Sequence, residues 1–292
     1  MRRILVLALA CASCAPLGLP ARSGGQETNG SPSSFDVADP RCLELWIGSR
    51  AVTTAAVLVR GTSNGRPVWG RVWIGADHLT RSLRVESESP ARFILTAERA
   101  LLSDDDTSDG AATLYLPQQR RIVQRASSRA LLQETLGLPL PAHEFVWAFT
   151  GCPNLSGNVD AIAVGPNRAR VSRGHTLPVD VFLRRSDPQA SWSAYAMSRA
   201  SETPAFRWWA EYKRSSDNRV QSVRIVSEEA PGIIGRLFDL DLALSRIQYA
   251  PLVGPEVFTP VFPSTARLVS LAEWQRQRPR SSPPLVHALN DR

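Results

Sequence analysis

Few residues in this 292-residue chain have the types and spacing that chemistry needs. Gly61-Thr62-Ser63-Asn64-Gly65 fits the G-x-S-x-G pattern of a serine nucleophile. That pattern works on a sharp turn between a strand and a helix, and here Arg66 to Ala76 (RPVWGRVWIGA) reads as a second strand. Ser63 is therefore a hairpin residue beside an Asn-Gly turn signal. Cys11 and Cys14 have the C-x-x-C spacing of a redox or metal pair, but they sit inside an apolar leader. Asp105, Thr107 and Asp109 alternate before Gly110 as calcium ligands would, yet Leu116 stands where the closing bidentate carboxylate belongs. A solvated hairpin tip is the better reading. His78, His143, His175 and His287 are isolated, with no metal-ligand spacing among them. Glu228-Glu229 and Asp239/Asp241 are paired carboxylates by sequence only, and no phosphate loop or G-x-G-x-x-G occurs. The expectation is a protein that is not an enzyme and needs no cofactor or metal.

The ends carry more information. Arg2 and Arg3 precede a short apolar run from Ile4 to Ala10, followed by small residues and cysteines. This is the pattern of an export signal, too short to span a bilayer as a mature helix. Ala12-Ser13-Cys14 resembles the small-residue box before the lipidated cysteine of bacterial lipoproteins, and Leu9-Ala10-Cys11 resembles it too. Cys14 leaves the apolar run a more usual length and is the expected lipid attachment site, with Cys11 the alternative. Residues 1–14 then form the signal peptide. Residues 15–40, rich in Gly, Ser and Pro, read as a flexible tether. Residues 276–292, rich in Pro and Arg, read as a disordered tail. Between them, residues 41–275 carry no linker-like break and are expected to form one domain.

Without the leader two cysteines remain, Cys42 and Cys152. An oxidising envelope compartment permits a disulfide between them, worth roughly 4–5 kcal/mol in chain entropy for so long a loop. Two separate buried thiols are the alternative. The net charge of +7 is almost wholly arginine, Lys213 being the single lysine. These arginines are scattered among strands rather than gathered on one helix, which speaks against nucleic acid and for a mildly cationic surface facing anionic lipid.

One stretch organises the rest. In residues 127–151 a helix capped by Ser127 or Ser128 repeats Leu131, Leu132 and Leu136 at one-turn spacing, and Gly137 is placed to end it. Pro141 suits the first position of a second helix, on which Phe145, Val146 and Phe149 share a face. The link between them keeps Leu138 and Leu140 where a surface loop would be polar. Such a pair must cover something apolar, either as ordinary core or as a lid over a cavity. Alternating, β-rich segments with turn signals lie on both sides, from Ala51 to Gln124 and from Val159 to Tyr249. Short even spacing of this kind argues for an antiparallel meander, closed or nearly closed into a barrel. The fold class expected is mainly β: a single antiparallel, unclosed β-barrel covered by short helices. Most tryptophans are expected in the core.

Ala112 to Pro117 (ATLYLP) with the helix pair after it, and the run from Val257-Phe258-Thr259 through Phe262-Pro263 and Ala266-Arg267 to Leu271, resemble the Lol superfamily of lipoprotein carriers and outer-membrane receptors. The likeness is to its uncharacterised lipoprotein branch rather than to the soluble carrier, which has neither anchor nor tether. The resemblance implies an unclosed barrel whose apolar concave face, under a helical lid, holds acyl chains. It makes Leu131, Leu132, Leu136, Leu138, Leu140, Phe145, Val146 and Phe149 the cavity residues. It also implies acyl chains of lipids or lipoproteins as ligand, and a membrane contact through the anchor. The domain would sit in the periplasm at the outer membrane, with a periplasmic carrier or envelope protein as a further partner. The second functional reading is a lipid-anchored interaction module, a stress sensor or assembly factor, without cargo.

Non-reducing mass spectrometry of protein extracted from membranes tests both cysteine expectations. It should find an N-terminal Cys14 carrying acyl groups and a peptide pair linked through Cys42 and Cys152. An unmodified N-terminus elsewhere, or two free thiols, would remove the anchor or the crosslink.

Overall fold

Buried and exposed residues alternate along most segments flanking the helix pair, and the backbone pairs them into one sheet. A computed structural model describes residues 52–77, 80–87, 92–97, 110–151, 159–173, 179–187, 192–201, 206–216, 220–228, 236–250, 257–259, 261–278 and 284–287. The first meander is β1 (Val52–Ser63), β2 (Arg66–Asp77), β3 (Ser82–Ser87), β4 (Phe93–Ala97), β5 (Ala111–Leu116) and β6 (Arg121–Ser127). Next come α1 (Ser128–Leu136) and α2 (Ala142–Thr150). The second meander is β7 (Val159–Gly165), β8 (Arg168–Arg173), β9 (Val179–Arg184), β10 (Ser193–Ser201), β11 (Phe206–Arg214), β12 (Val220–Ser227) and β13 (Phe238–Ala250). A short β14 (Arg267–Val269) and α3 (Leu271–Gln277) follow.

The spatial order is β14-β6-β5-β4-β3-β2-β1-β13-β12-β11-β10-β9-β8-β7. Every pairing is antiparallel except β14 on β6, which is parallel. The two meanders join through β13 and β1, the most extensive seam with β1–β2, running from Val52↔Ala250 to Ser63↔Phe238. The sheet does not close: β7 stands at one end of the order and β14, beside β6, at the other. The chain thus leaves the sheet beside one edge, at β6, and re-enters at the opposite edge, at β7.

The sheet curves around α2. That helix packs on β2 and β3 and also on β11 and β12. From β3 to β11 there are five strand spacings, about 24 Å in a flat sheet. A nine-residue helix is only about 13 Å long and about 10 Å wide, so a flat sheet would not reach it from both sides. One core cluster accordingly joins Leu83, Val85 and Leu95 of the first meander, Trp208, Val223 and Ile225 of the second, and both helices.

Local signals explain the turns. Asn64 and Gly65 both take positive φ, 49° and 72°, as a type I′ hairpin between β1 and β2 demands. Ser127 caps α1 by accepting from the Ala130 amide at 3.0 Å. Gly137 ends it at φ 78°, with its own amide bonded to the Gln133 carbonyl and that of Leu138 to the Leu132 carbonyl, a Schellman-type close. Pro141 lies one position outside its expected place, as the N-cap of α2, because its ψ of 151° is extended. The Ala142 amide it leaves open donates to Ser128 Oγ at 2.9 Å.

Two expectations need correction. Most tryptophans are not in the core: of the seven described, Trp147, Trp208 and Trp274 are buried, whereas Trp69, 36% exposed, and Trp73 lie on the outer face of β2. The stretch from residue 276 onward is not wholly a frayed tail. Arg276 and Gln277 complete α3, Arg278 pairs with Glu134 of α1, and Val286, on a 3-10 turn at Leu285–His287, is fully buried against β2 and α1. An apolar Pro284-Leu285-Val286 run outweighs the Pro/Arg composition around it.

Gly61 and Gly65 separate two costs of adding a methyl group. At Gly61 (φ 143°) a Cβ would lie 1.9 Å from the Asp239 carbonyl oxygen, whereas at Gly65 it would meet nothing within 4 Å. Gly61→Ala should cost about 3 kcal/mol or more through combined clash and strain, and Gly65→Ala about 1 kcal/mol through strain alone. Urea unfolding of the two variants reads the difference; equal midpoints would show that β1 and β13 do not approach as described.

Candidate functional site

The structure brings the expected cavity residues together. Leu131, Leu132 and Leu136 of α1, Leu138 and Leu140 of the link, and Phe145, Val146 and Phe149 of α2 all have no exposure and belong to one cluster with the inner face of the sheet. Phe145 and Phe149 stack at 6.0 Å. Ser127 and Gly137 close the ends of α1 as expected, and the hydrogen bond from Ala142 to Ser128 ties the two helices together. All nine residues of α2 are buried, so it is enclosed rather than merely laid with one face down.

Sequence reading missed a polar nest on α2. Glu144, 3% exposed, lies with Oε1 3.2 Å from Arg199 Nε, an ion pair rather than an aligned hydrogen bond. Its Oε2 accepts from the Trp208 indole N–H at 2.7 Å. Arg199, 2% exposed, reaches in from β10, directly across from Trp208 on β11. Its guanidinium stands 5.1 Å from the centre of the Trp147 ring, and that of Arg81 stands 5.7 Å from it. His143 meets the same ring edge-on at 5.0 Å. The Trp147 indole N–H is buried without a hydrogen-bond partner. One turn further along, Tyr212 of β11 donates to the Ala148 carbonyl at 3.0 Å. A carboxylate and a guanidinium taken from water each lose several kcal/mol of hydration, a loss that their mutual attraction and the Trp208 hydrogen bond help to offset here. The signal was present: Glu144 is the one acid in AHEFVWAFT, and Arg199 interrupts an otherwise small or apolar inner face of β10.

Other candidate chemistry is dispersed by the fold. Ser63 ends a strand that turns into another strand, and its hydroxyl donates to the Gly137 carbonyl at 2.6 Å, tying the first hairpin to the end of α1. Glu228 accepts from the Trp209 indole at 2.7 Å on the outer face, opposite to that of Trp208. Asp239 is gripped by Arg224 at 2.7 and 2.9 Å and by Arg236 at 2.8 Å, and these partners, the Arg224 hydrogen bond first, hold its carboxyl below the usual carboxylate range. That contribution to stability is present at neutral pH and is lost as pH falls through the lowered value. Asp239 and Asp241 form no acid–base pair with each other, since each faces arginine: Asp239 as above, and Asp241 directly across from Arg224 on β12. No group of three metal-ligating side chains occurs among the described residues. Cys14, Cys42 and Cys152, with His78, His175, Glu229 and Asp105 to Asp109, lie outside the described residues.

No family model matches the chain, and no curated protein matches it. Similar solved structures include a DUF1329 family protein from Desulfovibrio piger, 10% identical, covering 75% of this chain and 92% of that one with a TM-score of 0.36. Another is an uncharacterized conserved protein from Thermus thermophilus, 15% identical, covering 79% and 94% with a TM-score of 0.33. Both span most of either chain but superpose too loosely to say anything about ligand or partner.

The nest makes a distinctive prediction about pairs. Arg199→Met removes the guanidinium that faces buried Glu144 and should cost about 3–5 kcal/mol, while Arg199→Met with Glu144→Gln should recover most of that loss. Chemical denaturation of wild type, single and double variants measures it. A double variant as unstable as the single one would mean the two groups do not act as a pair.

Proposed function

We propose that this protein holds acyl chains of lipids or lipoproteins between the α1–α2 pair and the inner face of its open sheet. It would be lipid-anchored through Cys14 at the bacterial outer membrane, with its domain in the periplasm, and would bind rather than catalyse. The observation that carries this reading is topological. A sheet left open has its apolar inner face covered by the helical connector between its two meanders, and the covering residues are apolar on both sides. An acyl chain sliding between them would exchange one apolar contact for another, gaining about 0.8 kcal/mol for each methylene taken from water. This is the role the sequence resemblance to Lol-type proteins implies, with a periplasmic carrier or envelope protein as the donor or acceptor of cargo. Nucleic acid has no part in it.

The second reading, an anchored interaction module without cargo, is favoured by one fact: all eight lid residues are already fully buried. Under that reading the helix pair is permanent core.

Two measurements on the same proteins separate the readings. Organic extraction of purified wild type should release acyl lipid in stoichiometric amount. Leu136→Asp and Phe149→Asp should lower retained lipid more than they lower the thermal midpoint, because a wall that opens to a ligand also admits water to the new charge. If the residues are permanent core, an unpaired buried carboxylate costs several kcal/mol and a large fraction of molecules unfold. Collapsed midpoints together with a lipid-free wild type would leave the cargo-free module.

A further inference from the structure

The β7–β8 corner lies at one end of the strand order, and its composition is unusual. β7 ends the strand order, and Ile162 and Val164 on it are 50% and 63% exposed. Ile162 pairs with Arg170 and so lies on the outer face, while Val164 falls at the bulge between Ala163 and Gly165. Large aliphatics singly exposed are ordinary; two in three residues on an edge strand, beside a run of cations, are less so. On the same outer face Arg168 of β8 stands directly across from Arg184 of β9. Like charges in that position destabilise a sheet. Arg185 follows, its guanidinium donating to the Pro166 carbonyl at 2.7 Å, which fixes the β7–β8 turn. Arg184 stacks on Tyr195 at 6.0 Å and Arg185 on Trp192 at 4.5 Å. Across the β8–β9 pair Arg168 and Arg184 face each other rather than an acid. Asp180 is buried and bonded to Arg170 and Ser172, and Glu228 serves Trp209 and Arg207. Asp160 and Asp187 are the exposed acids at hand.

We infer that this corner is a docking surface for an anionic lipid bilayer. The three arginines meet headgroup phosphates. Tyr195 and Trp192 take the amphipathic interfacial position that such rings favour, and Ile162 and Val164 enter the acyl boundary. A soluble polyanion would use the arginines but gains nothing from the two aliphatic side chains, and an apolar protein partner gains nothing from a repelling arginine pair. A bilayer uses both. The inference is independent of whether the helix pair holds cargo, since it concerns the opposite face of the sheet. It gives the domain a fixed orientation at the membrane.

Hydrogen exchange of the full-length protein, with and without vesicles, tests this locally. On vesicles of phosphatidylcholine with a third phosphatidylglycerol, amides of residues 159–168 should gain protection; on phosphatidylcholine alone they should not. A lipid anchor or leader by itself tethers the protein without protecting that hairpin, so binding with unchanged exchange at 159–168 overturns the proposal. Arg168→Gln/Arg184→Gln should lower partitioning to anionic vesicles roughly thirtyfold, and Ile162→Ser/Val164→Ser at least about tenfold. All four positions are exposed or partly exposed, so thermal midpoints should stay near wild type, and co-extracted lipid is not part of the readout. If the aliphatic variant partitions as well as wild type, the corner is a general anion surface and the bilayer assignment falls.

Discussion

The connection from β6 to β7 governs this molecule. Each meander pairs strand to neighbouring strand through turns, and β13 closes on β1 to put the two meanders side by side. That arrangement sends the sixth and seventh strands to opposite ends of the order. The segment between them must cross the whole inner face. It can do so as buried backbone only if its own amides and carbonyls are satisfied along the way, because no water is available there. The two helices satisfy nearly all of theirs internally, and the helix ends that meet at the link use Ser128 Oγ, the Gly137 close and the Ser63 hydroxyl for the remainder. Covering an apolar sheet face and connecting two distant edges are thus one requirement, met by one segment.

The same requirement accounts for the ionic nest. α2 is enclosed on every side, so its register against the sheet is not specified by an apolar stripe, as it would be for a helix with one wet face. Glu144 specifies it instead: only one rotation and one translation place its two oxygens against Arg199 Nε and the Trp208 N–H together. Tyr212 on the Ala148 carbonyl adds a second fixed point on the same strand pair. Both points lie on the second meander, whereas Ser63 ties α1 to the first. The helix pair therefore bridges the two halves by polar contacts as well as by apolar ones.

Much of this was legible in the sequence, for a physical reason. Strands with one face buried announce themselves by period-two alternation, and here Val52–Ser63, Arg66–Asp77 and Phe206–Arg214 carry it clearly. Helix ends were legible because Ser127, Gly137 and Pro141 act through local backbone chemistry. What lay hidden depends on partners distant in sequence. Glu144 and Arg199 are 55 positions apart, and neither has meaning without the other. Val286 looked like part of a polar tail until β2 and α1 supplied its surroundings. The outward position of Trp69 and Trp73 could not follow from their spacing, which sets a shared face but not which one.

The nest also bears on whether the helix pair can lift. As packed, Glu144 and Arg199 have given up hydration that their mutual attraction offsets only in part. If α2 moves away from β10, both groups regain water, and this recovered hydration opposes the loss of apolar contacts around Phe145 and Phe149. An apolar pair of the same volume would offer no such relief and would hold the helix down more firmly. Well-capped helices, moreover, move as a body and expose few unpaired amides as they go. Rigid caps, an apolar interface and an ion pair that water can receive are together compatible with a connector that opens as one piece. With methionine or leucine in place of the two charges the connector would be held down more firmly but would lose the register that Glu144 sets.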